Sequence, residues 1–171
     1  LQLECSGTAA LLVALHALKA RAPDRRVVVA PAYTCPLVAI AVHRMGLTLR
    51  LCDTRPDHWD LDPQALAQAC REDTLAILPT HLAGLVADME APLEIARATG
   101  AFVIEDAAQA LGARDGGQSV GLRGDIGFFS LAAGKGLSIY EGGLLVTRDD
   151  ALREELRAVS AAIVPPASGW E

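Results

Sequence analysis

Lys135 and Asp106 are the two residues of this chain whose surroundings best suit covalent chemistry. The chain has two lysines against thirteen arginines, and Lys135 lies in the segment Ala-Ala-Gly-Lys-Gly, between small residues. Lysine amines form Schiff bases with carbonyl groups. Asp106 ends an apolar segment that begins at Val103. An amine and a carboxylate at the ends of two separate strands predict a cofactor between them.

A possible phosphate site precedes the first predicted helix, at Ser6, Gly7 and Thr8. The first N–H groups of a helix have no partner within the helix and attract anions, and the Thr8 hydroxyl adds a donor. Serine and threonine are also common helix caps, so plain capping is the alternative interpretation. The segment predicts a phosphate cup only together with the other candidate residues.

Gln109 follows Asp106 by three positions, which would place a carboxylate and an amide on the same side of a bound ring. The alternative is that Asp106 only caps a helix that begins at Ala107. Because successive residues of a strand face opposite sides of the sheet, we expect Glu105 to face outward.

Ser130 closes another strand-like segment five residues before Lys135, so a hydroxyl and an amine can share one loop. Gly134 and Gly136 flank the lysine and allow backbone to approach a ligand closely. The alternative is a turn serine beside an exposed lysine.

The apolar pattern predicts the elements that position these residues. Thr8 to Ala20 has leucines at helical spacing, and helices are expected to start at Asp62-Pro63 and at Asp88, the second of these stopping at Gly100. Strand-length apolar runs occur at 27–30, 47–52, 75–79, 102–105, 126–131 and 144–147. Strands that alternate with helices predict an α/β domain with a mostly parallel sheet. Ligands of such sheets bind beyond the carboxyl ends of the strands, where Asp106, Ser130 and His81 are placed.

Composition excludes several classes of partner. A net charge of −6 and a pI near 5.2 argue against nucleic acid. The apolar runs are far shorter than the roughly 18 residues that a membrane span needs, and no signal peptide is seen. Four scattered cysteines without a Cys-x-x-Cys pair predict no metal site and no disulfide framework, which fits the cytoplasm.

Seven motifs, in this order, make the chain resemble the DegT-type (DegT/StrS) family of pyridoxal-phosphate-dependent sugar aminotransferases. They are SGTAAL at 6–11, PAYT at 31–34, HLAG at 81–84, Asp88-Met89, EDAAQALGA at 105–113, GDIGFFS at 124–130 and Gly134-Lys135. The resemblance covers residues 4 to 160 and implies the aspartate aminotransferase fold (fold type I), a three-layer α/β/α large domain. It implies that residues 1–162 are the pyridoxal-phosphate-binding domain, incomplete at its start. Residues 163–171 would be a linker or tail, and the small carboxy-terminal domain would lie outside this chain.

The resemblance also implies roles for the candidate residues. Lys135 would hold pyridoxal 5'-phosphate covalently and move protons, Asp106 would pair with the pyridine nitrogen, and Gln109 would contact the phenolic oxygen. His81 would be a buried support of the site. The cofactor phosphate would be held by Gly7, Thr8 and Ser130. Cys35 occupies the position where the family usually has an aromatic residue that stacks on the ring, and a thiol cannot stack. Tyr33 could replace that ring, the cofactor could be held by apolar contact alone, or the alignment could be shifted by one residue.

The function implied is transfer of an amino group, from glutamate, to a keto group of a nucleotide-linked sugar, by a cytoplasmic homodimer. One alternative keeps the cofactor but dehydrates the sugar; Lys135 argues against it, because relatives known for dehydration have histidine there. Another is a cofactor-sensing or interaction protein without turnover, motivated by Cys35. A dinucleotide-binding domain is disfavoured because the segment at Gly7 lacks the three spaced glycines of that turn.

Overall fold

The fold is described from a computed structural model, for residues 1–163; of the predicted linker over 163–171, Ile163 ends a helix and residues 164–171 lie outside the described residues. It confirms the α/β class. The helices are α1 (Gly7–Arg21), α2 (Pro36–Arg44), α3 (Pro63–Ala69), α4 (Glu90–Thr99) and α5 (Asp150–Ile163). The strands are β1 (Gln2–Glu4), β2 (Val27–Pro31), β3 (Thr48–Cys52), β4 (Thr74–Ile77), β5 (Phe102–Asp106), β6 (Arg114–Asp115), β7 (Gln118–Ser119), β8 (Ile126–Ser130) and β9 (Gly143–Val146).

Seven of the strands form one sheet, in the order β1-β9-β8-β5-β4-β2-β3, and β6 with β7 forms a separate small hairpin. The pairs β2·β3, β2·β4, β4·β5 and β5·β8 are parallel, whereas β9 runs antiparallel to both of its neighbours. The sheet is therefore mostly parallel, as predicted. Its first strand pairs with its last, since Gln2 lies opposite Leu145.

Helices cover both faces of the sheet and make three layers. On β2, Val28 and Ala30 belong to the apolar cluster that contains α1, α2 and α5, whereas Val27 and Val29 belong to the cluster that contains α3 and α4. Side chains alternate between the two faces of a strand, and here both faces are apolar because both are covered. This explains why β2 has five buried residues in succession.

The helix ends follow the predicted signals. Ser6 caps α1 by accepting the Ala9 N–H at 3.1 Å, and Asp62 caps α3 by accepting the Ala65 N–H at 2.8 Å. Gly100 ends α4 in the left-handed region, with φ of 71°. Asp88 lies just before α4 and accepts the Glu90 N–H at 2.9 Å.

No helix follows Asp106. Residues 107–113 form successive turns, closed by bonds such as Ala110 N–H to Ala107 O at 3.0 Å. The alternative in which Asp106 caps a helix at Ala107 is therefore wrong. The Asp106 carboxylate instead accepts the Ala108 N–H within a turn, at 3.0 Å.

The sheet also fixes the start of α1. A side chain at Gly143 would place its Cβ 2.3 Å from the Ser6 carbonyl oxygen, so only glycine lets β9 lie directly against the turn that begins the helix. None of the helices within residues 1–163 has the length and apolarity that crossing a membrane requires.

Candidate active site

A cavity of about 580 Å³ opens at the carboxyl edge of the parallel strands. All seven residues that the sequence analysis assigns to a cofactor line it: Gly7, Thr8, Cys35, Asp106, Gln109, Ser130 and Lys135. A cavity of this size is typical of small-molecule and cofactor sites. The structure thus brings together residues from five separate segments of the chain.

The order of the strands in the sheet explains why residues from separate segments line one cavity. Ser130 ends β8 and Asp106 ends the neighbouring β5; Thr80 follows β4 and Thr34 follows β2, the next two strands along. These four residues therefore form a row across the edge of the sheet. Thr80 carries no signal of its own in the sequence, Thr34 stands out only as part of the PAYT motif, and neither was predicted to bind the cofactor.

The first turn of α1 forms one wall of the cavity. The N–H groups of Gly7 and Thr8 begin the helix, where no preceding turn can accept them. A Cβ at Gly7 would lie 2.9 Å from the Ser130 Cβ, so the missing side chain lets the helix start approach the end of β8. Two helix-start N–H groups and the hydroxyls of Thr8 and Ser130 make a cup suited to a phosphate.

Asp106 is almost completely buried, with 5% of its surface exposed. Burial raises the pKa of its carboxyl to about 6, although the Ala108 N–H bond and the positive charge of Lys135 act in the opposite direction. A positive charge bound in the cavity would therefore stabilise the ionised form of this carboxyl group.

The Gln109 side chain is oriented by the loop after β4. Its Oε1 accepts the Ala83 N–H at 2.9 Å, and Ala83 has a φ of 53°. With the oxygen engaged, the NH2 group is the part of the amide that remains to donate a hydrogen bond in the cavity.

Lys135 lies in a compact loop between β8 and β9. The Lys135 N–H bonds the Ala132 carbonyl at 3.2 Å, and the Ala133 N–H bonds the Tyr140 carbonyl at 3.0 Å. Tyr140 has a φ of 74° and is 86% exposed. The other lysine, Lys19, donates to the Met45 carbonyl at 2.6 Å, far from the cavity, whereas the Lys135 amine has no hydrogen-bond partner in residues 1–163.

Cys35 lines the cavity at the start of α2, and its side chain makes no capping hydrogen bond. Tyr33 also lines the cavity but is 63% exposed, and its ring packs on Trp59 with the centroids 5.0 Å apart. The described structure therefore has a thiol in the wall and an aromatic pair at the mouth.

Glu105 does not face outward, and that prediction is wrong. Its side chain is completely buried and accepts N–H bonds from Gly121 at 2.7 Å and from Arg123 and Gly124 at 2.6 Å each. Strand alternation does place Glu105 and Asp106 on opposite faces. In a sheet covered on both sides, however, the face opposite the site is also buried.

His81 is the fourth donor to Glu105, and its buried position behind the cavity agrees with the supporting role expected for it. Its Nδ1 accepts the Ala87 N–H at 3.0 Å, so the ring proton is on Nε2, which donates to Glu105 at 3.0 Å. Burial raises the pKa of Glu105, but the bonds from His81, Gly124 and Gly121 outweigh it, and the pKa lies below its usual value.

The described residues offer no metal site: no group of three or more histidine, cysteine, aspartate or glutamate side chains within 1–163 is arranged to bind an ion. All four cysteines are free. Burial raises the pKa of both Cys52 and Cys70 to about 11, so these two thiols remain protonated near neutral pH.

Comparison with known proteins gives a consistent result. The family model for the DegT/DnrJ/EryC1/StrS aminotransferase family matches residues 4–165. The chain is 42% identical to an L-glutamine:scyllo-inosose aminotransferase of Streptomyces griseus, over 90% of this chain and 36% of that protein. It is 40% identical to a UDP-N-acetyl-3-dehydro-alpha-D-glucosamine 3-aminotransferase of Acidithiobacillus ferrooxidans, over 90% of this chain and 42% of that protein.

A solved structure, DesV from S. venezuelae, superimposes with a TM-score of 0.85 at 36% identity. The match covers 97% of this chain and 45% of that one. The chain therefore spans less than half the length of each of these three relatives.

Replacing Glu105 with glutamine tests the buried carboxylate. An amide has one acceptor oxygen for four donors and turns its own N–H groups toward them, so we expect a loss of about 3 kcal/mol in unfolding free energy at pH 7. In the wild type the folded pKa is depressed, so this stabilisation is present above the unfolded pKa of about 4.3 and is lost as the pH falls below it. Urea unfolding from pH 3 to pH 7 measures both effects. Equal stability of Glu105→Gln and wild type at pH 7 would contradict the assignment.

Replacing Asp106 with asparagine should raise the unfolding free energy of the cofactor-free protein at pH 7, whereas Glu105→Gln should lower it. The folded pKa of about 6 exceeds the unfolded value of about 3.9, so the folded state binds more protons between these values. Wild-type unfolding free energy should therefore fall as the pH rises from about 4 to about 6. Asp106→Asn should remove that fall and be about 2 kcal/mol more stable at pH 7. Urea unfolding measures the slope; an unchanged slope in the variant would refute the prediction.

Proposed function

Because this chain belongs to the DegT/DnrJ/EryC1/StrS aminotransferase family, we propose that residues 1–162 form the cofactor-binding domain of a pyridoxal-phosphate-dependent aminotransferase. The enzyme transfers an amino group, with glutamate as the donor, to a keto group of a nucleotide-linked sugar. Aminotransferases of this family depend on pyridoxal 5'-phosphate. The observation that carries the proposal is one cavity that contains an amine without a hydrogen-bond partner in the described residues and a buried carboxyl with a raised pKa.

The residues present fit this cofactor. The phosphate cup depends on glycine at position 7, because a Cβ there would lie 2.9 Å from the Ser130 Cβ and would push the start of α1 away from β8. Two hydroxyl groups in the cavity wall, those of Thr34 and Thr80, are buried and make no hydrogen bond within residues 1–163, so their hydrogen-bonding capacity is unused there. The fit therefore rests on the shape and the hydrogen-bonding capacity of the cavity as well as on the motifs.

Asp106 would hold the ring nitrogen. The cofactor, when bound, supplies a cationic ring that withdraws electrons from the substrate carbon. A carboxylate beside the ring nitrogen favours its protonated form, and that positive charge in turn keeps Asp106 ionised against the cost of burial. Each group thus stabilises the charged form of the other.

Lys135 would bind the cofactor covalently and then, once substrate displaces it, move a proton to and from the substrate carbon. Gly134 and Gly136 keep both sides of the lysine clear of side chains. The loop bonds at Ala132 and Ala133 fix the backbone, so the reach of the amine is set by its own side chain.

The remaining residues would orient the cofactor. Gly7, Thr8 and Ser130 would bind its phosphate, and the Gln109 NH2 group would donate to its phenolic oxygen. Cys35 would pack against the ring face without stacking, so ring contact would come from small apolar groups such as those of Val38.

A second candidate substrate is a keto cyclitol, and two observations favour it. The Streptomyces griseus relative is named for scyllo-inosose, an inosose ketone rather than a nucleotide-linked sugar. The charged residues that line the described cavity are Asp106, Lys135 and Glu141, so Lys135 is its one cation. A diphosphate would need cations from the rest of the protein, whereas an uncharged ring would not.

We further propose that the intact enzyme is a cytoplasmic homodimer. Leu37 and Ile40 on α2 are each 51% exposed next to the cavity, and Tyr140 projects from the lysine loop. Exposed apolar groups around an incomplete site favour cover by a second subunit. Sedimentation of the full-length, cofactor-loaded protein should give the mass of a dimer, and a monomeric mass would refute this part of the proposal.

Lys135→Ala tests the proposed chemistry in the full-length protein. Borohydride reduction of the wild type with pyridoxal phosphate should fix the cofactor to one peptide, that of Lys135. The variant should show no fixed cofactor and should lose about 10³-fold or more in amino transfer, because it lacks the group that moves the proton. Mass spectrometry of the digested protein and product formation from glutamate measure the two effects.

Lys19→Ala is the matched control, because the Lys19 amine is bonded to the Met45 carbonyl away from the cavity. It should retain both cofactor attachment and activity. Cofactor fixed at Lys19, or fixed in Lys135→Ala, would contradict the proposal. Attachment at Lys135 without any amino transfer from glutamate would instead favour a cofactor-sensing protein. Comparing a nucleotide-linked keto sugar with a keto cyclitol as acceptor decides between the two substrates.

A further inference from the structure

Thr80 has a hydroxyl group that the fold leaves without a partner. Its Oγ1 is removed from solvent and makes no hydrogen bond in the described structure, although the residue lines the cavity. A buried polar group without a partner destabilises the folded state. Native proteins rarely keep such a group unless something else uses it.

The position of Thr80 shows what that use can be. Thr80 and Asp106 are partners in a parallel β-bridge, with Asp106 N–H bonded to the Pro79 carbonyl and His81 N–H bonded to the Asp106 carbonyl, each at 2.9 Å. Residues directly opposite each other in neighbouring parallel strands project to the same side of the sheet. The Thr80 hydroxyl and the Asp106 carboxylate therefore start side by side.

The Asp106 carboxylate has room for this donor. One of its oxygens accepts the Ala108 N–H at 3.0 Å, and within residues 1–163 no hydrogen bond reaches the other. An ionised carboxylate can accept about four hydrogen bonds, so a buried one with a single donor is poorly satisfied. Rotation about the Cα–Cβ bond of threonine is enough to turn its hydroxyl from one neighbour to another.

We propose that Thr80 is a further positioning residue of this site: its hydroxyl donates a hydrogen bond to the Asp106 carboxylate when the cofactor is bound, and so holds that carboxylate toward the ring nitrogen. This inference rests on the proposed function. A cationic ring keeps Asp106 ionised, and an ionised carboxylate is a stronger acceptor than a neutral one. In the cofactor-free protein the same hydroxyl is buried and makes no hydrogen bond within residues 1–163, so it adds no stability there.

The proposal predicts that removing the Thr80 hydroxyl lowers the affinity for pyridoxal phosphate but does not lower the stability of the cofactor-free protein. An ordinary packing role does not predict this combination. Thr80→Val keeps the shape of the side chain but removes the hydroxyl. In the full-length protein it should weaken pyridoxal phosphate binding about tenfold, as expected for one hydrogen bond to a charged group. The cofactor-free variant should be at least as stable as wild type, because the unpaired group is gone. Cofactor titration and urea unfolding of the cofactor-free protein measure the two quantities.

Two further variants make the result decisive. Thr80→Ser keeps a hydroxyl and should bind pyridoxal phosphate nearly as well as wild type. Thr74→Val is the matched control, because Thr74 is a buried threonine at the start of β4, the strand that Thr80 follows, and its hydroxyl does have a partner, the Arg71 N–H at 2.9 Å. It should lose stability and keep its affinity for the cofactor.

Unchanged affinity in Thr80→Val would overturn the proposal, and so would a loss of cofactor-free stability like that of Thr74→Val. Failure of Thr80→Ser to restore binding would also overturn it. If wild type itself does not bind pyridoxal phosphate, the proposed function fails, and that result is distinct from equal binding by wild type and Thr80→Val.

Discussion

Four hydrogen-bond donors stabilise one carboxylate of this fold that is completely buried. The Glu105 side chain gathers three backbone N–H groups from the segment 121–124 and the Nε2 proton of His81. These bonds tie the loop after β4 and the turn before β8 to the end of β5. Asp106 and Ser130, at the ends of β5 and β8, are placed relative to each other by this junction. The cavity therefore depends on a group that does not line it.

Two carboxylates adjacent in sequence thus serve opposite purposes. Glu105 is fully satisfied by hydrogen bonds, and its ionised form stabilises the fold. Asp106 is buried with one donor, and its ionised form costs stability until a ligand supplies a positive charge. The sheet separates the two roles by placing alternate side chains on opposite faces. At the end of β5 a carboxylate with four donors therefore lies on one face, and a carboxylate with one donor lies on the other, where a ligand can use it.

The sequence was sufficient for the class of fold and for most of the cavity. Apolar runs and helix caps such as Asp62 and Gly100 are local signals, and the elements that they predicted lie within a residue or two of the observed ones, whereas α2 and α5 were not predicted. The position of Glu105 could not be read in this way, because alternation gives the face of a residue but not whether that face is covered. The turns after Asp106 were also missed, since Asp is typical of both helix caps and turns. Thr80 carried no signal at all: its importance comes from its register with Asp106, which is distant in sequence.

The pairing of β1 with β9 has a consequence for the order of events during folding. Gln2 lies opposite Leu145, and the start of α1 packs against Gly143 and Ser130, so these contacts join residues more than 120 positions apart in the sequence. Contacts of such long sequence separation form slowly, because the entropic cost of closing the loop precedes the stabilisation that the contacts provide. The wall of the cavity that α1 forms is therefore in its final place only when β8 and β9 have joined the sheet.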